Sequence, residues 1–254
     1  MKQFLLRVLN NIFRFLKRQR MKRRLGITDM EVFTYSDCLV TAEVISRIHK
    51  SEHLCDIGAH KGHWSFVFQQ LNPQLKSVVM FEPQAKLIPS IKARHLGESS
   101  KKIFQCALGD EKNQLELKGG TASASLLDVG DNQHKFFPGS THQESELVEV
   151  KVLDELYKEA GLAYPDLIKM DVQGFELNVL KGGRAVLANA RYLVIELGLR
   201  KFYDGQPPLW ALFRFLEEEQ YEMVDHGYEL RSRTSPYELL QFDAIFKNKR
   251  FGTE

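Results

Sequence analysis

Short apolar runs and longer amphipathic segments alternate along most of the chain. The short runs are rich in Val, Ile and Phe, and in the segments between them apolar positions recur every three or four residues. This alternation predicts βαβ units and a mostly parallel sheet, and a polar stretch between the last two runs favours an antiparallel hairpin at one edge. The predicted strands are His53–Ile57, Ser77–Phe81, Ile103–Leu108, Leu167–Asp171, Tyr192–Leu197, Tyr221–Asp225 and Phe242–Lys247, and the predicted helices are Thr41–His49, Trp64–Leu71, Ala85–Leu96, Phe175–Leu180 and Leu209–Gln220.

The segment 112–150 is less regular than its surroundings. Glycines lie there among Ser, Thr, Gln and His side chains. We expect an insertion with short strands at Leu115–Leu117 and Leu147–Val152 and a mobile loop between them. Because long loops inside compact domains are commonly functional, this loop is a candidate wall of a binding site.

The first 25 residues differ from the rest of the chain in charge. They hold nine of its 35 Lys and Arg residues and none of its 33 Asp and Glu residues, and apolar side chains recur at helical spacing at Leu5, Leu9 and Ile12. We expect a basic amphipathic helix at 1–25 and a separate domain at 26–254. Cations interrupt the apolar run too often for a membrane span, which needs about 20 apolar residues, and no secretory cleavage site is visible. Two interpretations remain: the helix lies on an anionic membrane surface, or it packs on the domain or on a partner.

The domain itself is mildly acidic. Residues 26–254 keep 26 basic side chains against 33 acidic ones, so we expect no nucleic-acid partner. With 254 residues, of which 43% are hydrophobic, the chain can bury one sizeable core. The cysteines, Cys38, Cys55 and Cys106, are odd in number and widely spaced, which indicates neither a disulfide framework nor a zinc site. We therefore expect a cytoplasmic protein without a bound metal.

The most informative segment follows the first predicted strand. That strand ends with Asp56 beside the turn, Gly58 and Gly62 form the turn, a helix follows, and Glu82 ends the next strand. Parallel sheets bind ligands at the carboxyl ends of their strands, and glycine lets the backbone approach a ligand closely. Asp56 could instead cap the following helix. Two carboxylates at successive strand ends nevertheless favour a nucleoside-like ligand.

The spacing of the glycines and the sign of the charge narrow the type of ligand. The G-x-x-x-G spacing is neither the dinucleotide fingerprint nor a P-loop. The carboxylate of Asp56 would repel a pyrophosphate, whereas it would attract a ligand that carries an ammonium and a sulfonium group. S-adenosylmethionine is such a ligand, and we expect it as the cofactor.

Further motifs extend this pattern between about Cys55 and Gly198. They read DIGAHKGHWS, FEP, CALGD, VLDEL, LIKMDVQGFELNVLKGG and YLVIELG. The set resembles the FkbM-type S-adenosylmethionine-dependent methyltransferases, and its most specific part runs from Lys169 to Glu176. The resemblance implies a class I methyltransferase (Rossmann-like) α/β fold, with a mostly parallel seven-stranded sheet and helices on both faces. It also implies methyl transfer, most often to a hydroxyl of a sugar or a polyketide.

The resemblance also implies contacts with the cofactor. The glycine loop would cradle the methionine part, the carboxylate after the second strand would hold the ribose diol, and CALGD would lie along the adenine. Two positions depart from the family's usual pattern: Gln173 replaces a common Glu, which argues against an acid–base or metal role there, and His60 replaces a common Asn. The implied cofactor-binding residues are Asp56, Gly58, Ala59, Gly62, Glu82, Pro83, Ala107, Leu108 and Asp171.

Methyl transfer to a hydroxyl requires alignment and a general base. Asp171, at the end of its predicted strand, is the first candidate for this base, and Glu196, at the end of the next strand, is the second. Asp171 could instead orient the cofactor, and Lys169 on the same side of the strand would favour that role by making the carboxylate less basic. Loop histidines that could reach a substrate are weaker candidates, and they are His134, His142 and His226.

The leading functional hypothesis is O-methylation of a hydroxyl on a glycan or a lipid-linked saccharide. In this hypothesis residues 1–25 would hold a cytoplasmic enzyme at the inner face of a membrane. One alternative is methylation of a small secondary metabolite or a protein side chain. A second alternative is a module that binds the cofactor without catalysis.

Overall fold

A computed structural model describes residues 29–94, 97, 99–119, 122–137, 144–232 and 238–252. The helix predicted at 1–25 lies outside these residues, as does His142. None of the described helices is long and apolar enough to cross a membrane.

The helices are α1 (Asp29–Ile48), α2 (His63–Leu71), α3 (Ile88–Ala93), α4 (Asp131–Phe136), α5 (Leu153–Glu159), α6 (Glu176–Lys181), α7 (Arg184–Asn189) and α8 (Leu209–Glu218), with 3₁₀ turns at Ala85–Leu87 and Lys249–Phe251. The strands are β1 (His53–Ile57), β2 (Ser77–Phe81), β3 (Ser100–Phe104), β4 (Ala107–Gly109), β5 (Asn113–Lys118), β6 (Asp128–Val129), β7 (Ser145–Val152), β8 (Leu167–Met170), β9 (Tyr192–Gly198), β10 (Tyr203–Asp204), β11 (Tyr221–Arg231) and β12 (Leu239–Asn248).

A seven-stranded sheet forms the centre of the domain. Its strand order is β11-β12-β9-β8-β1-β2-β3. The five strands from β9 to β3 are parallel, whereas β12 pairs antiparallel with both β9 and β11. This arrangement confirms the mostly parallel seven-stranded sheet and the antiparallel hairpin at one edge.

Both faces of the sheet are covered by helices, because successive side chains of each strand enter opposite cores. In β1, Leu54 packs with α1 and α2, whereas Cys55 packs with α5, α6, α7 and α8. Leu167 and Ile168 of β8 divide between the two cores in the same way. Strands buried on both faces read as continuous apolar runs, which is why β1 and β2 have the predicted bounds.

One predicted strand is wrong. The run Ile103–Leu108 divides into β3, which ends at Phe104, and β4, which begins at Ala107. β3 stays in the central sheet, while β4 joins a three-stranded sheet in the order β4-β7-β5. The physical reason is the pairing of β4 with β7, which draws Ala107 and its successors out of line with β3.

Two helices differ from their predicted bounds by more than two residues. α1 begins at Asp29 rather than at Thr41. The segment Ala85–Leu96 is a 3₁₀ turn followed by α3, and Pro89 lies in the first turn of α3. Proline is tolerated there because the first amides of a helix have no partner within it, whereas it would interrupt a longer helix.

The insertion after β4 contains the two predicted strands, since β5 and β7 pair antiparallel. Between them the chain also forms β6, which pairs with β10, and the short helix α4. Residues 120–121 and 138–143 of the predicted mobile loop lie outside the described residues. The described part of the insertion places Leu117 in the lining of the cavity described below, and the hydroxyl of Ser125 donates to the carbonyl of Gln173 beside it.

Candidate active site

A cavity of about 400 Å³ opens where the central parallel strands end. Its volume falls within the range of about 300–1,000 Å³ that is typical of small-molecule sites. Both predicted catalytic residues and most of the predicted cofactor-binding residues line it. These residues are Gly58, Ala59, Glu82, Pro83, Ala107, Leu108, Asp171 and Glu196.

The loop after β1 needs a glycine at Gly58. Its φ is +73°, and a Cβ atom there would lie 1.9 Å from the carbonyl oxygen of Asp171. The amides of Gly58 and Ala59 both donate to the carbonyl of Phe81 at 3.0 Å. The loop therefore passes tightly between the ends of β8 and β2, and only a residue without a side chain fits at this position.

Glu82 joins the end of β2 to the same loop. One carboxylate oxygen accepts the amide of His60 at 2.7 Å, and the other accepts the amide of Gln84 at 2.9 Å. Burial raises the pKa of the Glu82 carboxyl, while these hydrogen bonds act in the opposite direction. The carboxylate is held rigidly at the cavity wall, where its remaining lone pairs can accept hydroxyl protons.

Asp56 lies in a different position from the one expected. It is 0% exposed and does not line the cavity. Its Oδ2 accepts the hydroxyl of Ser65 at 2.5 Å, and its Oδ1 lies 3.4 Å from Lys169 Nζ. Gly62, also expected to contact the cofactor, precedes α2 in a left-handed conformation and likewise lies outside the cavity lining. Lys169, which does line the cavity, therefore separates Asp56 from it.

Lys169 connects Asp56 to the cavity. Its ammonium donates to the carbonyl of Gly58 at 3.0 Å and lies 3.9 Å from Asp171 Oδ2. Burial alone would lower the pKa of Lys169, but the charges of Asp56 and Asp171 raise it, so the ammonium stays charged. Lys169 and Asp171 are on the same side of the chain, as the strand periodicity predicts.

Three carboxyl residues that lie in or directly after adjacent strands form a row in the cavity lining, which we call the acidic row: Asp171, Glu196 and Asp243. Asp243 of β12 is the register partner of Glu196 in β9. Asp171 directly follows Met170, which pairs with Ile195, so Asp171 is next to Glu196 on the other side. All three line the cavity. Like charges on neighbouring strands destabilise a sheet, so this row is costly unless it serves a ligand.

Two carboxyls of the acidic row, those of Glu196 and Asp243, have raised pKa values. Burial, together with the charges of Asp171 and Asp243, raises the pKa of Glu196 well above its usual range. Burial also raises the pKa of Asp243 to about 6, although its hydrogen bond from the Thr41 hydroxyl opposes the shift. Glu196 and Asp243 thus bind protons more readily than exposed carboxyls, as is common at catalytic sites.

Sequence reasoning missed Asp243 and the polar atoms of Trp64 and Gln84. A charged residue inside the apolar strand around Phe242 was the available signal for Asp243. Trp64 packs in the core, where it stacks on Phe68 with ring centroids 5.0 Å apart, and it also lines the cavity.

Two buried polar atoms at the cavity wall fit a cofactor that has both donors and acceptors. Among the described residues, neither Trp64 Nε1 nor Gln84 Oε1 has a hydrogen-bond partner. Buried polar groups are seldom left unpaired, so a donor and an acceptor beside Glu82 are well suited to a polar ligand. Apolar Ala107 and Leu108 also line the cavity.

Two of the three predicted loop histidines lie within the described residues, and neither joins the site. His134 and His226 are outside the cavity lining, and His226 instead lies 3.1 Å from Glu229. Two other histidines, His60 and His63, do line the cavity. Burial lowers the pKa of His60 and, together with Arg94, lowers that of His63 to about 4, so both rings are neutral near pH 7. Glu176, in turn, caps its own loop by accepting the amide of Gly174 at 3.0 Å.

Known proteins show the same domain. A family model described as the methyltransferase FkbM domain matches residues 56–230, which is more than half of the chain. The 2-O-methyltransferase NoeI of Sinorhizobium fredii (strain NBRC 101917 / NGR234) is 28% identical over 192 residues, and the match covers 71% of this chain and 78% of that protein.

Solved structures include a member of the same family. The crystal structure of the methyltransferase FkbM from Methylobacillus flagellatus KT is 16% identical, with a TM-score of 0.47. The match covers 76% of this chain but 44% of that chain, so this chain spans less than half the length of that protein. Because the family model matches more than half of the chain, the chain belongs to the FkbM family of S-adenosylmethionine-dependent methyltransferases.

Proposed function

We propose that this methyltransferase acts on a hydroxyl of a saccharide, either free or carried on a lipid. The observation that carries the proposal is the acidic row, which faces the same cavity as the glycine loop. A carboxyl group can accept hydrogen bonds in either protonation state, and neighbouring saccharide hydroxyls can each donate one. The name of the relative NoeI, a 2-O-methyltransferase, supports transfer to oxygen.

We assign the cofactor to the end of the cavity beside β2. Glu82 would hold the ribose diol, the amides and carbonyls of the loop at Gly58 and Ala59 would hold the methionine part, and Ala107 and Leu108 would contact the adenine. S-adenosylmethionine, when bound, supplies an electrophilic methyl group on a positively charged sulfur. Lys169 would keep the glycine loop in place, since its ammonium donates to the Gly58 carbonyl, and Asp56 would hold that ammonium through the ion pair.

We assign the general base to Asp171 and Glu196 together. One oxygen of each, Asp171 Oδ1 and Glu196 Oε2, lies within hydrogen-bond distance of the same Gln173 amide nitrogen, at 2.7 and 2.9 Å. Because both carboxyls contact the same amide, they lie side by side, and either can receive the proton that the acceptor hydroxyl loses. The side chain of Asp171 is 35% exposed and is the member that reaches the substrate.

The acidic row also restricts the acceptor. An acidic group next to the reacting hydroxyl would face the carboxyls of Asp171, Glu196 and Asp243, while the nearby Lys169 ammonium is shared with Asp56. A phosphate or carboxylate is therefore disfavoured at this position. The proposal therefore specifies a saccharide that is neutral around the reacting position. Amine-bearing metabolites and protein side chains are the competing acceptors.

The test is methyl transfer from labelled S-adenosylmethionine to a panel of neutral saccharides, uronates, amines and proteins. Asp171→Asn and Glu196→Gln should each reduce turnover by about 10²–10⁴-fold while cofactor binding is kept. Asp204→Asn removes an exposed carboxylate outside the cavity and serves as the matched control. Transfer only to amines or proteins, or full turnover by both site variants, would exclude this function.

We further propose that residues 1–25 hold the enzyme at the inner face of a membrane, where lipid-linked saccharides are within reach. Their nine cations and apolar stripe support this placement, since basic amphipathic helices bind anionic headgroups. A cytoplasmic enzyme would meet its cofactor and its acceptor at that surface.

A further inference from the structure

Gln173 lies between the two carboxylates of the base. Its side-chain nitrogen donates to Asp171 Oδ1 at 2.7 Å and to Glu196 Oε2 at 2.9 Å. Its side-chain oxygen accepts the hydroxyl of Tyr203 at 2.7 Å. The amide thus presents its two N–H groups to the carboxylates and its carbonyl to a donor, and every polar atom of the side chain has a partner.

The surrounding structure holds Gln173 in this orientation. Its backbone has a φ of +54°, and its carbonyl accepts the hydroxyl of Ser125 at 2.7 Å. The Tyr203 hydroxyl also lies 3.1 Å from the carbonyl of Ser123, and a Cβ atom on Gly174 would lie 3.1 Å from the Tyr203 ring. Residues in the left-handed region persist when their surroundings over-determine them, and they cluster at functional sites.

We propose that Gln173 is a positioning residue, which holds Asp171 and Glu196 side by side in ionised form so that the pair can accept the acceptor's proton. The proposal rests on the base assigned above. The amide offers two hydrogen bonds to negative oxygens without adding a charge of its own, which offsets the repulsion between them. The Tyr203 hydroxyl, by donating to Gln173 Oε1, keeps the amide nitrogen directed at the two carboxyls.

The electrostatic setting makes this offset necessary. Burial and the neighbouring carboxylates already favour the protonated form of Glu196, and Lys169 opposes them. A second amide, from Gln241, reaches Glu196 Oε2 at 3.1 Å, but it does not reach Asp171. The titratable groups that face the pair are Lys169 of β8, Glu176 of α6, Asp243 of β12, Tyr203 of β10, Tyr228 of β11 and His60 of the glycine loop.

The experiment measures the titration of the pair directly in the full chain. Side-chain carboxyl ¹³C resonances, with Glu196 assigned through Glu196→Gln, give midpoints for the wild type, Gln173→Glu and the control Gln114→Glu. Gln114 is exposed on β5, so its variant adds the same charge away from the site. Gln173→Glu should raise the midpoint of the pair by at least one pH unit, a tenfold change in proton affinity, and should move the acidic limb of the turnover profile equally.

Tyr203→Phe gives a second, gentler perturbation if Gln173→Glu does not fold. It frees the amide to rotate without adding charge, and the midpoint should rise by a smaller amount in the same direction. Midpoints in both Gln173→Glu and Tyr203→Phe that equal those of Gln114→Glu would overturn the proposal. Carboxyl titration needs no acceptor, so a wild type that methylates no saccharide would defeat the proposed function and leave this measurement intact.

Discussion

Replacing Lys169 by Met should destabilise the fold far more than the loss of a surface cation. Lys169 Nζ is the charge that faces Asp56 Oδ1 at 3.4 Å, and Asp56 is 0% exposed. Among the described residues that oxygen has no hydrogen bond, so the lysine charge is its compensation. Methionine keeps the apolar stem of lysine and most of its length, so the change removes the ammonium, with its charge and its hydrogen bond, and leaves the packing largely intact.

The size of the effect follows from this burial. Removing one partner of a buried ion pair costs about 3–5 kcal/mol, because the other charge is left in a medium that solvates it poorly. A domain is stable by about 5–15 kcal/mol in total, so the loss is a large share of that stability. The hydrogen bond from Lys169 to the Gly58 carbonyl, 3.0 Å long, is lost as well, which loosens the glycine loop.

Urea unfolding at pH 7, followed by fluorescence or circular dichroism, measures the free energy of unfolding of each variant. The control is Lys76→Met, which breaks an ion pair at the protein surface. Lys76 lies 2.6 Å from Glu52, closer than Lys169 lies to Asp56, but both of these side chains are about half exposed or more. Exposed pairs contribute about 0–1 kcal/mol. Adding Asp56→Asn to Lys169→Met removes the stranded charge and should recover most of the loss.

The comparison has a clear contrary result. If Lys169→Met lowers the free energy of unfolding no more than Lys76→Met does, then Lys169 does not stabilise the buried carboxylate of Asp56. A double variant as unstable as Lys169→Met alone would likewise show that the lost energy does not come from the carboxylate of Asp56.

Three further outcomes are expected. Glu82→Gln should weaken S-adenosylmethionine binding by about 1.5–3 kcal/mol, roughly tenfold to a hundredfold in a calorimetric titration, and unchanged affinity would remove Glu82 from the cofactor site. Burial raises the pKa of Glu176 from 4.5 to about 7, so the folded protein holds this proton more tightly than the unfolded chain, and the free energy of unfolding falls as the pH rises through that interval. Glu176→Gln should make the free energy of unfolding, measured in urea, less dependent on pH over this interval, and the same dependence in both proteins contradicts the assignment. Deleting residues 1–25, which carry nine cations, should abolish salt-sensitive binding to anionic vesicles and keep cofactor binding, whereas equal vesicle binding would refute the anchor.

Local sequence determined most of the architecture. β1 and β2 begin and end where they were predicted, because strands buried on both faces read as apolar runs between polar turns. The glycine loop and Glu82 meet as expected, because the carboxyl ends of parallel strands lie along one edge of a sheet. The motifs in this region were also sufficient to identify the family.

Pairing between distant segments decided what the local pattern left open. The apolar run Ile103–Leu108 had the composition of a single strand, and only its pairing partners divide it: β2 takes the part up to Phe104, and β7 takes the part from Ala107. The role of Asp56 was decided in the same way, since a carboxylate beside a glycine loop can face a ligand or a buried cation. In neither segment does the local pattern of apolar and polar residues distinguish the two possible arrangements.

The acceptor end of the site was determined only by the tertiary structure. Asp171, Glu196 and Asp243 become neighbours through the register of β8, β9 and β12, although they are far apart in the sequence. Strand side chains alternate with a period of two, so a slip of one residue in β12 would turn Asp243 to the opposite face. The Gln173 amide depends on the same register, because it can bridge Asp171 and Glu196 only when their strands are aligned. A hydrophobic pattern specifies that a strand is buried, whereas the packing of the whole sheet specifies which side chains lie beside each other.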